Sequence, residues 1–334
     1  MTAPPLQRPL QRPLQRPLQH PHPRPHVSGA AKADSQALRS RLAALAAHLL
    51  LAVIALVGIG GATRVMEAGL ACPDWPLCYG SLLPGRQMNL QVFLEWFHRL
   101  DAFVVGVGLL VLATASVWWR RQLPRWQPPL ALGCLVLVGV QGGLGALTVL
   151  QLLPAGVVTA HLLTALLLVA LLSGCHQALN GEAVEPSEPS GPTGAVVVSV
   201  GLPLLALMLV LAQCLLGGLM ASQWAAGRCV STGDACGWLL AHRLGARSAG
   251  LGSLALAAWL GWRRSGDRPF AGLVAALVVI QIALGVLILR LGLAVPAVTV
   301  AHQITAALLV AVLAALAVRS WRFPHPSFLS SRHG

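Results

Sequence analysis

Apolar segments long enough to cross a lipid bilayer recur along the whole chain, separated by short polar stretches. About twenty apolar residues in a helix span the hydrocarbon core of a membrane, and few of these segments contain a charged residue. The segments lie at residues 42–62, 92–118, 128–150, 156–176, 196–221, 237–262, 270–291 and 296–318. The pattern predicts an all-α, polytopic membrane protein with eight transmembrane helices.

The segments outside these helices divide the chain into regions. The amino-terminal region, residues 1–40, repeats a Leu-Gln-Arg-Pro tetrad and then becomes rich in proline and histidine. Such a composition prevents helix formation and leaves little to bury, so we predict a disordered cytoplasmic tail. The other predicted regions are an N-terminal four-helix half at 41–180, a linker at 181–195, a C-terminal four-helix half at 196–320 and a second cytoplasmic tail at 321–334.

The charge balance supports the membrane assignment. The chain of 334 residues is 56% hydrophobic and only 10% charged, whereas about a quarter of the residues in soluble proteins are charged. A net charge of +13 could indicate binding to nucleic acid, but most basic residues lie in the tails and in short loops. Under the positive-inside rule, this distribution places both termini in the cytoplasm, beside a bacterial-type inner membrane. We therefore expect contact with membrane lipid and none with nucleic acid.

Three motifs occur twice, once in each half of the chain. They are Gln141-Gly-Gly-Leu-Gly-Ala-Leu with Gln281-Ile-Ala-Leu-Gly-Val-Leu, His98-Arg99-Leu100 with His242-Arg243-Leu244, and Ala160-His161 with Ala301-His302. Because each half contains an even number of predicted helices, the halves run in the same direction through the membrane, as in other parallel repeats. We predict two homologous four-helix bundles.

The repeat places four histidines at a common depth, one on every second predicted helix. They are His98, His161, His242 and His302. Each lies roughly 8–9 Å below the outer surface, given a rise of about 1.5 Å per residue. A single intramembrane histidine is more often a packing residue, as we interpret His48 and His176. Two imidazoles facing each other across a bundle are the axial ligands that a six-coordinate haem requires, so we favour haem over an isolated metal ion.

One acidic residue distinguishes the two predicted pockets. Glu95 precedes His98 by three residues and so lies on the same helical face, whereas Leu239 occupies the equivalent position in the second half. An ionisable group within a membrane helix usually has a function, and we expect Glu95 to be catalytic. The alternative is that Glu95 caps its helix or pairs with Arg99.

Further charged residues follow the histidines of the second and sixth predicted helices. Arg99 and Arg243 each lie one residue beyond a histidine and close to the outer water, so they are candidates for pairing with haem propionates. Asp101 has Gly245 as its counterpart in the second half. Asp101 could orient His98 or pair with Arg99, and the sequence does not decide between these roles.

The two longest outer loops each contain a pair of cysteines, Cys72 with Cys78 and Cys229 with Cys236. An oxidising compartment favours disulfides. Zinc is the competing interpretation, although neither loop supplies a histidine or a CxxC motif. We predict the disulfides Cys72–Cys78 and Cys229–Cys236. The remaining cysteines lie alone within apolar segments and are predicted to be packing residues.

Taken together, these motifs resemble the haem A synthase family. The resemblance rests on the two four-helix repeats, the Glu-x-x-His of the second helix, the histidines of the other even-numbered helices and the cysteine pairs. Gly60-Gly61-Ala62-Thr63-Arg64, followed by Gly69-Leu70, is similar to the first-loop signature of that family. The resemblance covers about residues 40–320.

The resemblance implies an oxidoreductase that converts a ring methyl of haem O to a formyl group and so makes haem A for terminal oxidase assembly. It implies that His98 and His161 bind the substrate haem beside Glu95, and that His242 and His302 ligate a haem b. Two successive hydroxylations of the methyl group would give a geminal diol that loses water. The expected partners are a haem O synthase, oxidase assembly factors and a second copy of the chain.

Two other functions agree with parts of the sequence. A non-catalytic dihaem cytochrome b that relays electrons from quinol to an outer acceptor would explain the four histidines, but it predicts two similar pockets. A transporter would explain the repeats but does not require four matched histidines. The difference between Glu95 and Leu239 favours the enzyme.

Overall fold

The computed structural model describes residues 29–180 and 193–322 of the chain. Within these ranges the regular secondary structure is helical, apart from one isolated bridge between Cys78 and Ser81. The α-helices are α1 (Gly29–Val65), α2 (Leu90–Trp118), α3 (Gln127–Leu150), α4 (Ala155–Asn180), α5 (Thr193–Ser222), α6 (Ala225–Thr232), α7 (Cys236–Arg263), α8 (Arg268–Arg290) and α9 (Pro296–Arg322). Short 3₁₀ helices, Gly85–Gln87 and Ser265–Asp267, precede α2 and α8.

Seven helices in the described part of the chain are long and apolar enough to cross a membrane. They are α1, α2, α3, α4, α5, α8 and α9. Helix α7 has 28 residues, but Arg243 and Arg247 interrupt its apolar character, as do several glycines and serines. The chain is therefore an all-helical, multi-pass membrane protein, and the eighth span stays a prediction.

Two segments that the sequence assigned to a tail and a loop are helical. Helix α1 begins at Gly29, so residues 29–40 are not part of a disordered tail, contrary to the prediction. The last proline before this helix is Pro25, and the stretch that follows is rich in alanine, a strong helix former. Residues 225–232, in the second outer loop, form α6. The rest of the predicted tails and most of the linker lie outside the described residues, at 1–28, 181–192 and 323–334.

The helices of each half contact one another in a closed order. Helix α1 packs on α2, α2 on α3, α3 on α4, and α4 on α1. In the second half the order is α5, α7, α8, α9 and back to α5. Between the halves, α9 packs on α1 and α4, and α4 also packs on α5. The histidine-bearing helices of each half therefore belong to one closed set, while their arrangement as two membrane-spanning four-helix bundles stays a prediction.

A buried ion cluster joins the end of α7 to the end of α9. Arg264 Nε lies 3.1 Å from Asp267 Oδ2, and Arg264 Nη1 donates to Ser320 Oγ at 2.8 Å. Arg319 Nε donates to the other carboxylate oxygen of Asp267 at 2.6 Å. Because a buried carboxylate is stable only when it is paired, this cluster fixes the turn between α7 and α8 against α9.

Both cysteine pairs are joined in the structure. The sulfur atoms are 1.96 Å apart in Cys72–Cys78 and 1.97 Å apart in Cys229–Cys236. The first disulfide is buried and packs against Val92 in the first turn of α2. The free cysteines are Cys134, Cys175 and Cys214, and all three lie within helices.

We expect a maleimide reagent to label three of the seven cysteines in denatured, unreduced protein and all seven after reduction, because a disulfide sulfur does not react until it is released as a thiolate. Mass spectrometry of the peptides identifies the labelled positions. A Cys134→Ser control should lower both numbers by one. Labelling of Cys72 or Cys229 without reductant would contradict the pairing.

Candidate functional site

The four histidines of the repeat lie on α2, α4, α7 and α9, and all are partly buried. In the first half, His98 and His161 face each other across the interior, with ring centroids 6.4 Å apart and an angle of 71° between the ring planes. One metal ion bonded to a nitrogen of each ring fits this separation, since each such bond is about 2 Å long. The structure thus brings the first predicted pair together in a geometry suited to axial ligation.

A glycine on the neighbouring helix lies beside each imidazole, and at three of the four it makes room for the ring. A Cβ atom at Gly60 in α1 would lie 3.0 Å from Cε1 of His98, and one at Gly217 in α5 would lie equally close to Cε1 of His242. A side chain at either glycine would therefore force the histidine ring to shift. A Cβ atom at Gly285 would also be close, at 3.3 Å from Cε1 of His302, whereas one at Gly145 would lie 3.6 Å from Cε1 of His161, which is an ordinary contact. The rings of His98, His242 and His302 therefore pack closely on the backbone of a neighbouring helix, which leaves them little freedom to move away from the interior.

The ring nitrogens indicate what the histidines can hold. Nδ1 is buried and has no hydrogen-bond partner in His98, His161 and His302, although buried polar atoms are nearly always paired. The described residues also contain no group of three or more His, Cys, Asp or Glu side chains arranged around a metal ion. A pair of histidines is sufficient when a macrocycle supplies the other ligands, as haem does. The residues present therefore fit haem better than an isolated ion.

Three glutamines adjoin these histidines, and the sequence alone predicted no role for any of them. Gln213 Nε2 lies 3.0 Å from Nδ1 of His242, and Gln281 Nε2 lies 3.2 Å from Nε2 of His302. Gln141 Nε2 donates instead to the backbone oxygen of His161 at 3.0 Å. The repeat of Gln141 and Gln281 was a visible signal for two of them. For Gln213 the only signal was an amide side chain inside a long apolar segment.

Glu95 is 4% exposed and both of its carboxylate oxygens are engaged. Oε1 pairs with Arg99 Nη2 at 2.5 Å, and Oε2 accepts a hydrogen bond from the backbone N–H of Cys72 at 2.8 Å. The pairing with Arg99 is one of the two alternatives to catalysis that the sequence left open. It does not exclude proton transfer, because a carboxylate held by two donors can still exchange a proton with a third group.

Arg99 anchors the disulfide-bonded loop between α1 and α2. Its Nη1 donates to the backbone oxygens of Asp74 and Leu77 at 2.6 and 2.5 Å, and its Nη2 also reaches the oxygen of Cys72 at 3.4 Å. With both Nη atoms used, Arg99 is less available for a haem propionate than predicted. Its counterpart Arg243 is exposed and has no hydrogen bond or ion pair with any described residue. The propionate role of each arginine stays a prediction.

Two further interactions stiffen this loop. Trp96 Nε1 donates to the backbone oxygen of Leu82 at 2.6 Å. The Asp74 carboxylate accepts from the backbone N–H groups of Gly80 and Tyr79, and these bonds hold the pKa of Asp74 below its usual value. The loop above His98 is therefore fixed by α2, by its own disulfide and by its internal hydrogen bonds.

Asp101 contributes to neither of the roles considered for it. It is partly exposed and forms no hydrogen bond or ion pair with the part of the chain that the structure describes. It therefore pairs with neither His98 nor Arg99 in this structure.

Paired glycines in α1 and α5 bring the two pockets close together. Gly60 faces His98 of its own half, but a Cβ atom at Gly61 would overlap Gln303, the neighbour of His302 in the other half. In α5, likewise, a Cβ atom at Gly218 would lie 3.0 Å from Cγ2 of Thr159 in α4. In each of these helices, one glycine packs against a histidine of the same half, and the next glycine packs against the other half.

Arg64, at the end of α1, also reaches across to the second half. Its Nη1 donates to the backbone oxygen of Ala221, and its guanidinium lies 5.2 Å from the ring centroid of Trp224. A cation over an aromatic face is stabilised by the ring quadrupole. The arginine of the first-loop signature therefore ties the two halves together beside the pockets.

Comparison with known proteins agrees with this geometry. The chain is 33% identical over 190 residues to a heme A synthase of Shewanella oneidensis, covering 52% of this chain and 54% of that protein. It is 30% identical over 334 residues to a heme A synthase of Rhizorhabdus wittichii, covering 81% of this chain and 92% of that protein. A protoheme IX farnesyltransferase of Natronomonas pharaonis is 35% identical over 141 residues, covering 42% of this chain and 29% of that protein.

The family model COX15-CtaA, described as a cytochrome oxidase assembly protein, matches residues 43–314. These residues include all four histidines of the repeat. The match extends over most of the chain and contains both halves of the repeat. The chain therefore belongs to the COX15-CtaA family of cytochrome oxidase assembly proteins.

Proposed function

We propose that the protein is a haem A synthase, which oxidises a ring methyl of haem O to a formyl group. The observation that carries the proposal is the pocket of the first half, where His98 and His161 face each other 6.4 Å apart and the buried Glu95 lies one helical turn from His98. Family membership and relatives named heme A synthase support it. The product would serve the assembly of a terminal oxidase.

In this proposal the two pockets have different occupants. His98 and His161 would bind the substrate haem O, while His242 and His302 would hold a resident haem b. When bound, haem b supplies one-electron transfer. The chain contributes the orientation of both groups, because the close glycine contacts hold His98, His242 and His302 against a helix backbone.

Glu95 is proposed to handle protons during the reaction. Each of two hydroxylations adds one oxygen atom to the methyl carbon and removes two electrons, so the reaction requires an external oxidant. The resulting geminal diol loses water to leave the aldehyde. Each of these steps transfers a proton to or from the reacting substituent. Because the site is poorly accessible to water, a side chain is needed to accept or donate that proton. The backbone N–H of Cys72 and the guanidinium of Arg99 fix the position of the Glu95 carboxylate and so define where such a proton can be held.

The proposal includes a setting in the membrane. Eight spans form two four-helix bundles in an inner membrane, with both termini in the cytoplasm and both disulfide loops outside. A haem O synthase must supply the substrate, and the similarity to a protoheme IX farnesyltransferase supports that neighbour. Oxidase assembly factors are proposed to receive the product.

A dihaem cytochrome b that only relays electrons is not favoured. Such a relay would need axial ligands in both halves, but it gives no reason for a buried acidic residue in one half alone. Glu95 is buried and engaged, whereas Leu239 stands at the equivalent position. Haem extracted from purified protein and separated by chromatography distinguishes the two functions: haem O or haem A beside haem b supports the enzyme, and haem b alone supports the relay.

Replacing either proposed haem b ligand should abolish the low-spin b-type spectrum. We expect His242→Ala and His302→Ala to lose this spectrum while the protein stays in the membrane, since each removes one of two axial ligands. His48→Ala is the matched control, because His48 bonds only to the backbone of its own helix in the described structure. An unchanged b-type spectrum in both ligand variants would refute the assignment.

Replacing Glu95 by Gln should lower haem A formation about 10²–10⁴-fold, the usual contribution of a general acid or base, because the amide cannot titrate. Haem A formation is measured per molecule that retains haem b, so that loss of folded protein is not mistaken for loss of activity. Glu67→Gln is the control, since Glu67 is exposed at the start of the loop.

A second variant separates catalysis by Glu95 from anchoring of the loop. Arg99→Gln breaks the ion pair with Glu95 but leaves the carboxylate in place. Arg99→Gln also removes the hydrogen bonds to the loop carbonyl groups, so if Glu95 acts only through this pair, Glu95→Gln should lose no more activity than Arg99→Gln. A loss in Glu95→Gln that does not exceed the loss in Arg99→Gln on the per-haem b scale, or a Glu95→Gln enzyme with wild-type turnover, would end the catalytic assignment.

A further inference from the structure

The two pockets differ in what holds their imidazole rings. In the second half a glutamine amide touches each ring: Gln213 reaches His242 from α5, and Gln281 reaches His302 from α8. Gln213 also donates to the backbone oxygen of His242 at 2.9 Å. Both amides therefore reach a ring from a helix other than the one that carries the histidine.

Neither ring of the first half has such a support. Gln213 lies four residues before Gly217, the glycine that faces His242. In the first half the glycine that faces His98 is Gly60, and the residue four positions before it is Leu56. A leucine side chain cannot hydrogen-bond to an imidazole. Nδ1 of His98 is buried without a partner. Nδ1 of His302 is unpaired as well, but there Gln281 reaches the other ring nitrogen.

Gln141, the counterpart of Gln281, is held away from the ring of His161. Its Oε1 accepts from Thr164 Oγ1 at 3.0 Å, and its Nε2 donates to the backbone oxygen of His161. In the second half Thr305 stands at the position of Thr164, but its hydroxyl bonds only to the backbone oxygen of Ala301. The amide of Gln281 is therefore left for the ring, and that of Gln141 is not.

We propose that Gln213 and Gln281 are positioning residues that make the second pocket a permanent haem site, whereas the unsupported rings of the first pocket allow haem to exchange. This inference rests on the proposed function, in which one pocket must take up substrate and release product while the other keeps its cofactor. The ligand class that exchanges is an iron porphyrin with an apolar substituent, and the class that is retained is haem b.

The physical basis is the ordering of the ligands before they bind. A partner on the ring fixes its orientation and determines which nitrogen carries the proton, and loss of such a partner typically weakens metal binding by about 10–100-fold. Oε1 of both Gln213 and Gln281 is buried without a hydrogen-bond partner. Rotation of an amide exchanges its oxygen and nitrogen, so each side chain can also accept from a ring N–H once the other nitrogen binds iron.

The test uses the full-length protein loaded with haem b and a large excess of apomyoglobin as haem acceptor. In Gln213→Leu and Gln281→Leu, haem b should leave the second pocket about 10–100-fold faster than in wild type. The low-spin electron paramagnetic resonance signal should also shift, because ring orientation changes. Gln141→Leu is the matched control, in which haem b loss from the second pocket should keep its wild-type rate.

The reciprocal variant is Leu56→Gln, which introduces an amide at the equivalent position beside His98. It should slow the release of haem O loaded into the first pocket, without altering loss of haem b from the second. Wild-type rates of haem release in Gln213→Leu, Gln281→Leu and Leu56→Gln would overturn the inference. Equal acceleration of haem b loss in the Gln141→Leu control, or faster haem b loss with an unchanged electron paramagnetic resonance signal, would also overturn it. Failure of the proposed function is distinguishable, because the haem extracted from the purified protein would then be haem b alone.

Discussion

An imidazole inside an apolar helix bundle needs space beside a neighbouring backbone and a partner for its nitrogens, and both needs shape this protein. Space comes from a glycine on the adjacent helix, as at Gly60 beside His98 and at Gly217 beside His242. Partners are incomplete, since three of the four histidines have a buried, unpaired Nδ1. Unpaired buried polar atoms cost free energy, about 1–3 kcal/mol each. Because the unpaired nitrogens lie at matched positions of the repeat, a ligand bound between the helices would supply the contacts that these nitrogens lack.

The sequence predicted the features that depend on periodicity and repetition. Long apolar segments identify membrane helices because the bilayer imposes their length, and seven such helices are present. The pairing of His98 with His161 followed from equal depth in a repeat. The start of α1 was misplaced because hydropathy marks where a helix enters lipid, whereas the helix itself extends through alanine-rich residues to Gly29.

What the sequence could not predict depends on contacts between distant segments. Arg99 was a candidate for pairing with a propionate, a role that stays a prediction, and the path of the loop also brings the carbonyl groups of Asp74 and Leu77 within reach of its guanidinium. No local pattern encodes that path, which the disulfide and the first turn of α2 fix together. Gln213 was missed for a related reason, because a single amide in an apolar segment acquires meaning only when the neighbouring helix places His242 beside it.

The two halves differ at positions one turn from their histidines or from the glycines that contact them. The acid is on α2, where Glu95 replaces the apolar Leu239 of α7. The ring support is on α5, where Gln213 replaces the Leu56 of α1. Neither exchange touches the glycine contacts that set the spacing between each histidine and its neighbouring helix. Each half of the repeated scaffold therefore carries two histidines, while the side chains one turn away differ. Under the proposed function, these differences separate the half that carries out chemistry from the half that retains its haem.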